Sequence, residues 1–228
     1  MKEGLELDEV VLLGRTYAEY ERFFDFTSLD LPNISMLDVG SGVSSFCSEA
    51  RQQGLNVLAS DPIYDIEADI LEPKCQADLH AAIAQFPQIL DKYSWQFYQD
   101  IEHLAAYRTN AYQRFIPHYQ TQSQYYIASS LPCLPFESNR FDVAFVSHLL
   151  FLYEHLFDYD FHRQCLLELA RIARQQIRIY PLTNLKAEKS QYIEQLMQDR
   201  ALNQLEFNIV PVEFEFLKNA NQMLTITL

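Results

Sequence analysis

The stretch from Met36 to Pro62 constrains the fold of this chain most, because strand, turn and helix signals follow one another closely in it. Its parts are, in order, a short apolar strand at 36–39, the turn Gly40-Ser41-Gly42, a helix at 44–53, the helix-ending Gly54 and a second strand at 55–60. Glycines let the backbone approach a ligand closely, and the free N–H groups of the helix face the same turn. The stretch therefore predicts a βαβ unit with a ligand at its turn.

An acid follows the second strand of this unit. Asp61 lies 21 residues after Gly40, where the acid of a nucleotide-binding βαβ unit accepts both hydroxyls of a ribose. The dinucleotide pattern G-x-G-x-x-G is only half met, because Gly42 is present but Ser45 stands at the third glycine. The sequence thus predicts a nucleoside ligand, and the missing glycine counts against a dinucleotide.

The run Asp38-x-Gly40-x-Gly42 resembles motif I of class I S-adenosylmethionine-dependent methyltransferases. The resemblance implies that S-adenosyl-L-methionine is the cofactor and that Asp38 orders the loop and helps to hold the methionine amino group. Asp61 would bind the ribose. Further cofactor contacts are implied for Gly40, Ser41, Gly42, Pro62, Ser129, Ser130, Leu131 and Ser147. Ser44 stands where the fuller family motif has its third glycine, and its side chain narrows the space above the loop.

The remainder of the chain continues in the order of the same family. Leu134-Pro135-Phe136, a polar turn and Phe141-Asp142-Val143 are similar to the family's entry to its fourth strand. The predicted elements after it are a helix at 160–173, a strand at 176–180, a helix at 187–203 and strands at 207–217 and 222–228. The resemblance implies an α/β, Rossmann-like class I methyltransferase fold, with a seven-stranded, mostly parallel sheet, an antiparallel last strand and a helical insert.

The third strand departs from the family pattern. The family often carries an acid after this strand that binds the adenine amino group, whereas residues 125–130 read Tyr-Tyr-Ile-Ala-Ser-Ser. A serine hydroxyl can bond adenine, though more weakly than a carboxylate. More narrowly, residues 174–182 and 214–225 are similar to a group of bacterial methyltransferase-like proteins of unassigned substrate. The resemblance therefore implies the cofactor and leaves the acceptor open.

The composition is typical of one globular domain. With 228 residues, 49% of them hydrophobic, residues 1–228 are expected to form a single domain. The formal net charge of −14 opposes nucleic acid as a partner, because each phosphate contact needs local cations. The four cysteines lack metal-ligand spacing, no apolar run reaches the ~18 residues of a membrane span, and the first residues lack the order of a signal peptide. We therefore expect a cytoplasmic protein without a metal.

A segment of more than 60 residues separates the second strand from the third, where a crossover usually needs one helix. Apolar residues at helical spacing predict two or three helices in it, at 76–86, 93–107 and 110–119. This insert, about 72–122, is expected to overhang the ligand edge as a lid over an aromatic substrate pocket, with candidates Trp95, Tyr98 and Tyr107. The alternative is that its rings only pack the insert onto the core.

A helix is predicted to open at Thr16, which caps it together with Glu19 three residues on. Related enzymes often close the cofactor site with an amino-terminal helix. The resemblance thus makes Arg15 or Tyr20 a candidate for the methionine carboxylate. An exposed salt bridge is the alternative for Arg15.

Methyl transfer is an in-line displacement, so positioning and one base can supply much of the catalysis. His148 directly follows the fourth strand and is the first candidate base, because the ordinary histidine pKa of about 6.5 suits proton transfer near neutrality. Tyr153 is the second candidate catalytic residue. The alternative for His148 is a hydrogen bond to its loop or a contact with the cofactor.

The expected function is S-adenosylmethionine-dependent methylation of a small-molecule or peptide-like acceptor. One alternative is a regulatory protein that binds S-adenosylmethionine without catalysis, which the serine replacements and the lack of a known acceptor motif suggest. A nicotinamide-dependent oxidoreductase is a third interpretation, against which the missing glycine and the antiparallel final strands count. The sequence fixes neither the acceptor nor the oligomeric state.

Overall fold

The computed structural model describes residues 4–228, which are built around one seven-stranded sheet. The strands are β1 (Ser35–Val39), β2 (Asn56–Ser60), β3 (Tyr126–Ile127), β4 (Phe141–Ser147), β5 (Ala173–Tyr180), β6 (Glu206–Pro211) and β7 (Gln222–Thr227). Their order across the sheet is β3-β2-β1-β4-β5-β7-β6. β7 pairs antiparallel with both of its neighbours, and the other neighbouring pairs are parallel.

This arrangement confirms the Rossmann-like class I methyltransferase fold predicted from the sequence. β1 lies at the centre, where Leu37 pairs with Leu58 of β2 on one side and with Ala144 of β4 on the other. All seven residues of β4 are buried. Parallel strands are covered on both faces in this class of fold, which explains why residues 143–146 of β4 are all apolar and do not alternate with polar ones.

Six α-helices lie within the described residues, and their bounds are α1 (Tyr17–Phe23), α2 (Phe46–Gln52), α3 (Ala68–Ile83), α4 (Ile101–Thr121), α5 (Tyr159–Ile172) and α6 (Ile193–Met197). The predicted start of α1 is confirmed, because the Glu19 carboxylate accepts the backbone N–H of Thr16 at 2.8 Å and its hydroxyl at 2.9 Å. α5 is amphipathic and buries Leu166, Leu169 and Ile172 against the sheet.

The insert contains two α-helices, α3 and α4. The two predicted helices at 93–107 and 110–119 are one helix that begins only at Ile101, because the Asp100 side chain caps it by accepting the N–H of His103 at 2.8 Å. The preceding residues are turns, with Gln99 in the left-handed region at a φ of 70°. Periodicity alone therefore placed the start of this helix too early.

The predicted helix at 187–203 is wrong in extent, since α6 spans only Ile193–Met197. The side chain of Asn184 accepts the N–H of Lys186 at 2.9 Å and that of Glu188 at 3.2 Å, and Ala187 adopts a φ of 66°. An asparagine-centred turn thus occupies the first residues of the predicted helix. The predicted strand at 207–217 likewise ends at Pro211, because proline donates no bond to a ladder.

The carboxyl ends of β1, β2 and β4 meet at one edge of the sheet, and residues 5–15, the amino-terminal segment, lie across this edge. The amino-terminal segment is held mainly by side chains from elsewhere. The N–H of Leu12 donates to Asp78 at 2.8 Å, and the carbonyl of Leu7 accepts from Nε2 of His155 at 2.9 Å. Ligand sites of open α/β sheets lie at this edge.

Candidate functional site

A cavity of about 420 Å³, the first cavity, lies at the carboxyl ends of β1, β2 and β4. It falls in the size range of small-ligand sites. Twelve of the fourteen predicted site residues line it, namely Arg15, Gly40, Ser41, Gly42, Asp61, Pro62, Ser129, Ser130, Leu131, Ser147, His148 and Tyr153. The other two, Asp38 and Tyr20, lie behind this lining. The fold brings the predicted residues together, and their individual roles stay predictions.

The glycine turn follows β1 directly and forms the floor of the first cavity. Gly40 and Gly42 have φ values of 66° and 54°, which side-chain-bearing residues rarely adopt. A Cβ on Gly40 would lie 2.5 Å from Cδ2 of Leu149, whereas one on Gly42 would meet no atom within 4 Å. A side chain at Gly40 would thus strain the backbone and displace the end of the Leu149 side chain, whereas Gly42 leaves open space where a ligand can approach the backbone.

The carboxylate of Asp61 spans from β2 to the glycine turn. Its Oδ2 accepts the N–H of Gly42 at 2.9 Å, and its Oδ1 accepts the N–H of Ile63 at 3.0 Å. Burial raises the pKa of Asp61, and these two backbone bonds oppose that shift. Because a carboxylate oxygen has two lone pairs, each oxygen keeps one acceptor site for a ligand.

Asp38 is fully buried behind the turn, and hydroxyls surround its carboxylate. The Tyr20 hydroxyl lies 3.0 Å from both of its oxygens, and Ser41 Oγ donates to Oδ2 at 2.6 Å. Burial raises the pKa of Asp38 to about 7, although the bonds from Ser41 and Tyr20 oppose the shift. Tyr20 therefore contacts Asp38 and does not line the first cavity.

Arg15 lines the first cavity with only part of its guanidinium satisfied. Its Nη1 donates to the carbonyl of Leu13, while its buried Nε has no hydrogen-bond partner within residues 4–228. The nearest carboxylate oxygen, Oε1 of Glu19, is 3.8 Å from this Nε. Burial and the charge of Arg108 lower the pKa of Arg15. The buried Arg15 guanidinium therefore has one N–H group, at Nε, without a hydrogen-bond partner, and we refer to it as the unfilled edge of Arg15.

His148 stands at the end of β4 with a left-handed backbone, at a φ of 52°. Its N–H donates to the carbonyl of Tyr180 at 2.6 Å, and its Nδ1 is 2.9 Å from Ser147 Oγ. Burial lowers the pKa of His148 well below its ordinary value, and the charges of Arg15 and Arg108 lower it further. The imidazole is therefore neutral at neutral pH, and burial and the two arginine charges disfavour its protonated form.

The other predicted residues occupy two further parts of the lining. Ser129 Oγ is 2.7 Å from Ser60 Oγ at the end of β2, so one predicted adenine contact is tied to the strand that Asp61 directly follows. Tyr153 is held by the amino-terminal segment, since its hydroxyl accepts the N–H of Val11 at 3.4 Å. Its hydroxyl is thus engaged in closing the wall.

A buried ion pair behind the first cavity was not predicted from the sequence. Arg108 of α4 donates to Oε1 of Glu19 at 2.7 Å and to the carbonyl of Gly14 at 3.1 Å, and the Tyr98 hydroxyl bonds to both side chains. One signal for it is present in the sequence, because Arg108 falls in an apolar stripe at helical spacing with Leu104 and other buried residues. This cluster fixes the segment that carries Arg15.

The chain has a close relative among curated proteins, although no family model matches it. It is 34% identical over 223 residues to the uncharacterized protein MJ0045 of Methanocaldococcus jannaschii, and the alignment covers 97% of this chain and 98% of that protein. The chain belongs to the MJ0045 family. The name of that relative states no activity, so the chemistry of this MJ0045-family protein has to be inferred from its site.

Two solved structures of similar shape are methyltransferases. Magnesium protoporphyrin IX methyltransferase from Synechocystis PCC 6803 with bound SAM gives a TM-score of 0.47 at 11% identity, with 90% of this chain and 74% of that chain covered. A SAM dependent methyltransferase from Aquifex aeolicus gives 0.44 at 12% identity, with 92% and 91% covered. Likeness at this level assigns neither a ligand nor a reaction to the MJ0045-family chain.

The wall of the first cavity differs from the predicted lid. None of residues 72–122, all of them described, lines it, whereas eight residues of the amino-terminal segment do. Trp95 and Tyr107 pack against the core, and Tyr98 joins the ion-pair cluster.

No group of three or more His, Cys, Asp or Glu side chains within residues 4–228 is placed to hold a metal. In the same range, no helix is long and apolar enough to cross a membrane.

Proposed function

We propose that the first cavity of this MJ0045-family protein binds S-adenosyl-L-methionine and that the protein is a methyltransferase for a small acceptor. The observation that carries the proposal is the position of Asp61. Its carboxylate lies at the end of β2, is oriented by the N–H groups of Gly42 and Ile63, and faces the cavity with one lone pair free on each oxygen. Such a group can accept the two hydroxyls of a ribose.

The charges of the site complement this cofactor. S-adenosylmethionine carries a sulfonium and an ammonium, both positive, and one carboxylate. The site offers two acids, Asp38 and Asp61, and the unfilled edge of the Arg15 guanidinium. Asp38 would hold the amino end from behind the turn, and Arg15 the carboxylate. When bound, the cofactor supplies an electrophilic methyl group.

The same charges oppose a dinucleotide. A pyrophosphate above the glycine turn would lie near the carboxylate of Asp61, where like charges repel. Ser45 stands where the dinucleotide pattern has its third glycine. It is fully buried, and its backbone N–H bonds to the carbonyl of Arg15. Both features favour a nucleoside without pyrophosphate.

Thermal unfolding and calorimetry with three ligands test the proposal. S-adenosylmethionine and S-adenosylhomocysteine should each raise the melting temperature, because a ligand bound only by the folded state stabilises it, by about 2.7 kcal/mol at a hundredfold excess over Kd. NAD should have little effect. A rise with NAD and none with S-adenosylmethionine would contradict the cofactor.

Catalysis is tested separately with labelled methyl groups. Protein that binds S-adenosylmethionine is incubated with pools of small molecules, and transfer of label is followed by mass spectrometry. Transfer is expected to at least one acceptor. Tight cofactor binding with no transfer across broad pools would favour the regulatory alternative.

A further inference from the structure

A second cavity of about 70 Å³ adjoins the first. The two share the lining residues Leu5, Leu13, Arg15, His148, Leu152 and Leu185. The remaining wall comes from α3, α4 and the segments around β5 and β7, so the insert does line this space. Arg15 and His148 thus stand at the junction between the proposed cofactor site and a separate void.

The far wall of the second cavity is aromatic. The ring centroids of Phe86 and Tyr93 are 4.8 Å apart, and those of Tyr93 and Phe216 are 4.6 Å apart. Leucine and isoleucine side chains complete the wall. Aromatic rings of a ligand pair favourably with such walls through offset or edge contacts, beyond the area that they bury.

The charges around the second cavity are of one sign. No described carboxylate lines it, whereas Arg15 and Arg108 both do. Arg108 is paired with Glu19 at 2.7 Å, which leaves one guanidinium charge in excess. A cationic acceptor would therefore have no protein counter-ion here, and once a cofactor carboxylate neutralises Arg15 the cavity offers no excess charge to an anion.

Two residues that line the second cavity each have a polar atom without a hydrogen-bond partner. Within residues 4–228, Nε2 of His148 and the hydroxyl of Tyr93 make no hydrogen bond, while both residues line the void. Nδ1 of His148 is engaged by Ser147. When Nδ1 carries the ring proton and donates a hydrogen bond to Ser147 Oγ, Nε2 has a free lone pair and can accept a hydrogen bond.

The size of the second cavity limits what it can hold. Its volume of about 70 Å³ is smaller than the roughly 150 Å³ void that takes up benzene in an engineered protein. A single ring therefore has to lie partly at the junction with the first cavity. This is also where a reacting atom must be if the cofactor occupies the first cavity.

We propose that the second cavity binds the methyl acceptor as a small, uncharged, hydroxylated aromatic ring of the phenol class, with its hydroxyl at His148. This inference rests on the proposed function of the first cavity. The acceptor oxygen forms a bond to the methyl carbon while the bond between that carbon and sulfur breaks, and the sulfur keeps both electrons. The hydroxyl proton passes to Nε2 of His148 and from there to water.

The test measures binding of three one-ring probes to protein saturated with S-adenosylhomocysteine, by calorimetry and by ligand-observed NMR. The probes are phenol, benzoate and benzylammonium, which are neutral, anionic and cationic. Phenol is expected to bind at least about tenfold more tightly than benzylammonium. Benzoate should compete with phenol only weakly, because the cofactor carboxylate already occupies Arg15.

Two substitutions of neighbouring alanines in α3 locate the binding. Ala82 is buried and lines the second cavity, whereas Ala81 on the same helix is exposed. Ala82→Leu should weaken phenol binding about tenfold or more by filling the void, and Ala81→Leu should leave it within about twofold. If Ala82→Leu does not fold, Ile83→Ala enlarges the void and should shift preference from phenol toward 2-naphthol.

The outcomes separate the two proposals. Tighter binding of benzylammonium or benzoate than of phenol, or equal phenol binding by Ala82→Leu and wild type, would overturn the acceptor class. Phenol binding without any response to S-adenosylhomocysteine would overturn the cofactor proposal and leave the second cavity as the phenol site. Labelled anisole formed from phenol in the presence of S-adenosylmethionine would support both.

Discussion

Oδ2 of Asp61 and the backbone N–H of Gly42 lie 2.9 Å apart, so the acid at the end of β2 holds the turn at the end of β1 before any ligand binds. The carboxylate is thereby pre-organised, which lowers the entropic cost of binding a ribose. Asp61→Asn keeps the shape and removes the charge. We expect S-adenosylmethionine affinity measured by calorimetry to fall by about 1.5–3 kcal/mol, the usual value of a hydrogen bond to a charged group.

A matched control for Asp61→Asn lies four residues further on. Asp65 is in the same short 3-10 turn but is exposed and does not line the first cavity. Asp65→Asn should leave the affinity unchanged. Equal affinities for the two variants and wild type would remove Asp61 from the site.

Gly42→Ala tests whether the open space above the turn is used. Gly42 and Gly54 both have left-handed backbones, with φ of 54° and 82°, and a Cβ on either would meet no atom within 4 Å. Only Gly42 lines the first cavity. Both alanine variants should lose roughly 1–2 kcal/mol of stability from backbone strain. Gly42→Ala alone should also weaken S-adenosylmethionine binding, by about tenfold or more.

The expected contrast for the glycine variants is between unfolding and binding. Chemical denaturation measures the strain, which should be similar in Gly42→Ala and Gly54→Ala. Calorimetry measures the cofactor, which should distinguish them. If both variants bind it as wild type does, the ligand does not approach Gly42.

The buried pair of Arg108 and Glu19 has an exposed counterpart on the same helix. Arg114 of α4 donates to Glu49 at 2.7 Å, the distance also found between Arg108 and Glu19, but the Arg114 side chain is 53% exposed and that of Arg108 only 4%. Arg108→Met should cost about 3–5 kcal/mol of unfolding free energy, because it leaves the Glu19 charge buried without its nearest counter-ion. Arg114→Met should cost about 1 kcal/mol at most, since solvent screens that pair.

Urea denaturation checks this prediction, with the slope compared between variants to confirm that the same surface is exposed. Similar losses for Arg108→Met and Arg114→Met would contradict the view that burial sets the difference.

The pKa of Glu19 is consistent with a charged pair. Burial raises it, and the charges of Arg108 and Arg15 outweigh that effect and lower it.

Asp38 should make stability and cofactor binding depend on pH. Its pKa is raised in the folded protein from 3.8 to about 7, so the folded state holds the proton more tightly than the unfolded state does. Its contribution to stability is fully present below about pH 4 and is lost as the pH rises toward 7, by roughly 4 kcal/mol at 1.36 kcal/mol per pKa unit. The difference in unfolding free energy between wild type and Asp38→Asn isolates this loss across pH 4–8.

Other groups also have shifted pKa values, so the pH dependence of wild type alone would not isolate the contribution of Asp38. The pKa of His148 is lowered, so its contribution is present above its unfolded pKa and is lost as the pH falls. Subtracting the curve of Asp38→Asn removes this opposite slope. The ammonium of a bound cofactor would lower the pKa of Asp38, so binding at pH 6 should release a proton in wild type and none in Asp38→Asn. A flat difference curve would show that folding does not raise the pKa of Asp38.

The sequence was sufficient where the site is local. Asp38, Gly40, Gly42 and Asp61 lie within one βαβ unit, so their spacing along the chain fixes their positions at one strand edge. The turn geometry follows from glycine alone, because few other residues tolerate the φ values found there. The order of the seven strands was likewise predictable, since it follows from the family resemblance of successive segments.

The sequence was insufficient where contacts join distant residues. Arg108 and Glu19 are 89 positions apart, and nothing in either neighbourhood specifies the other. The wall of the first cavity was assigned to aromatic rings of the insert, whereas side chains such as Asp78 hold the amino-terminal segment there. Helix starts in the insert were also missed, because the cap at Asp100 overrides the apolar period before it.

The way the amino-terminal segment is held has a consequence for the speed of ligand exchange. Its bonds to Asp78, Tyr153 and His155 are single side-chain contacts, not a ladder, so residues 5–13 can detach without unfolding the sheet, while the ion-pair cluster keeps Gly14 in place. An occupied cavity would slow that detachment. Cleavage by a dilute protease between Leu5 and Leu13 should therefore report residence of the nucleoside, and dissociation of the demethylated product past this segment is the step we expect to limit turnover.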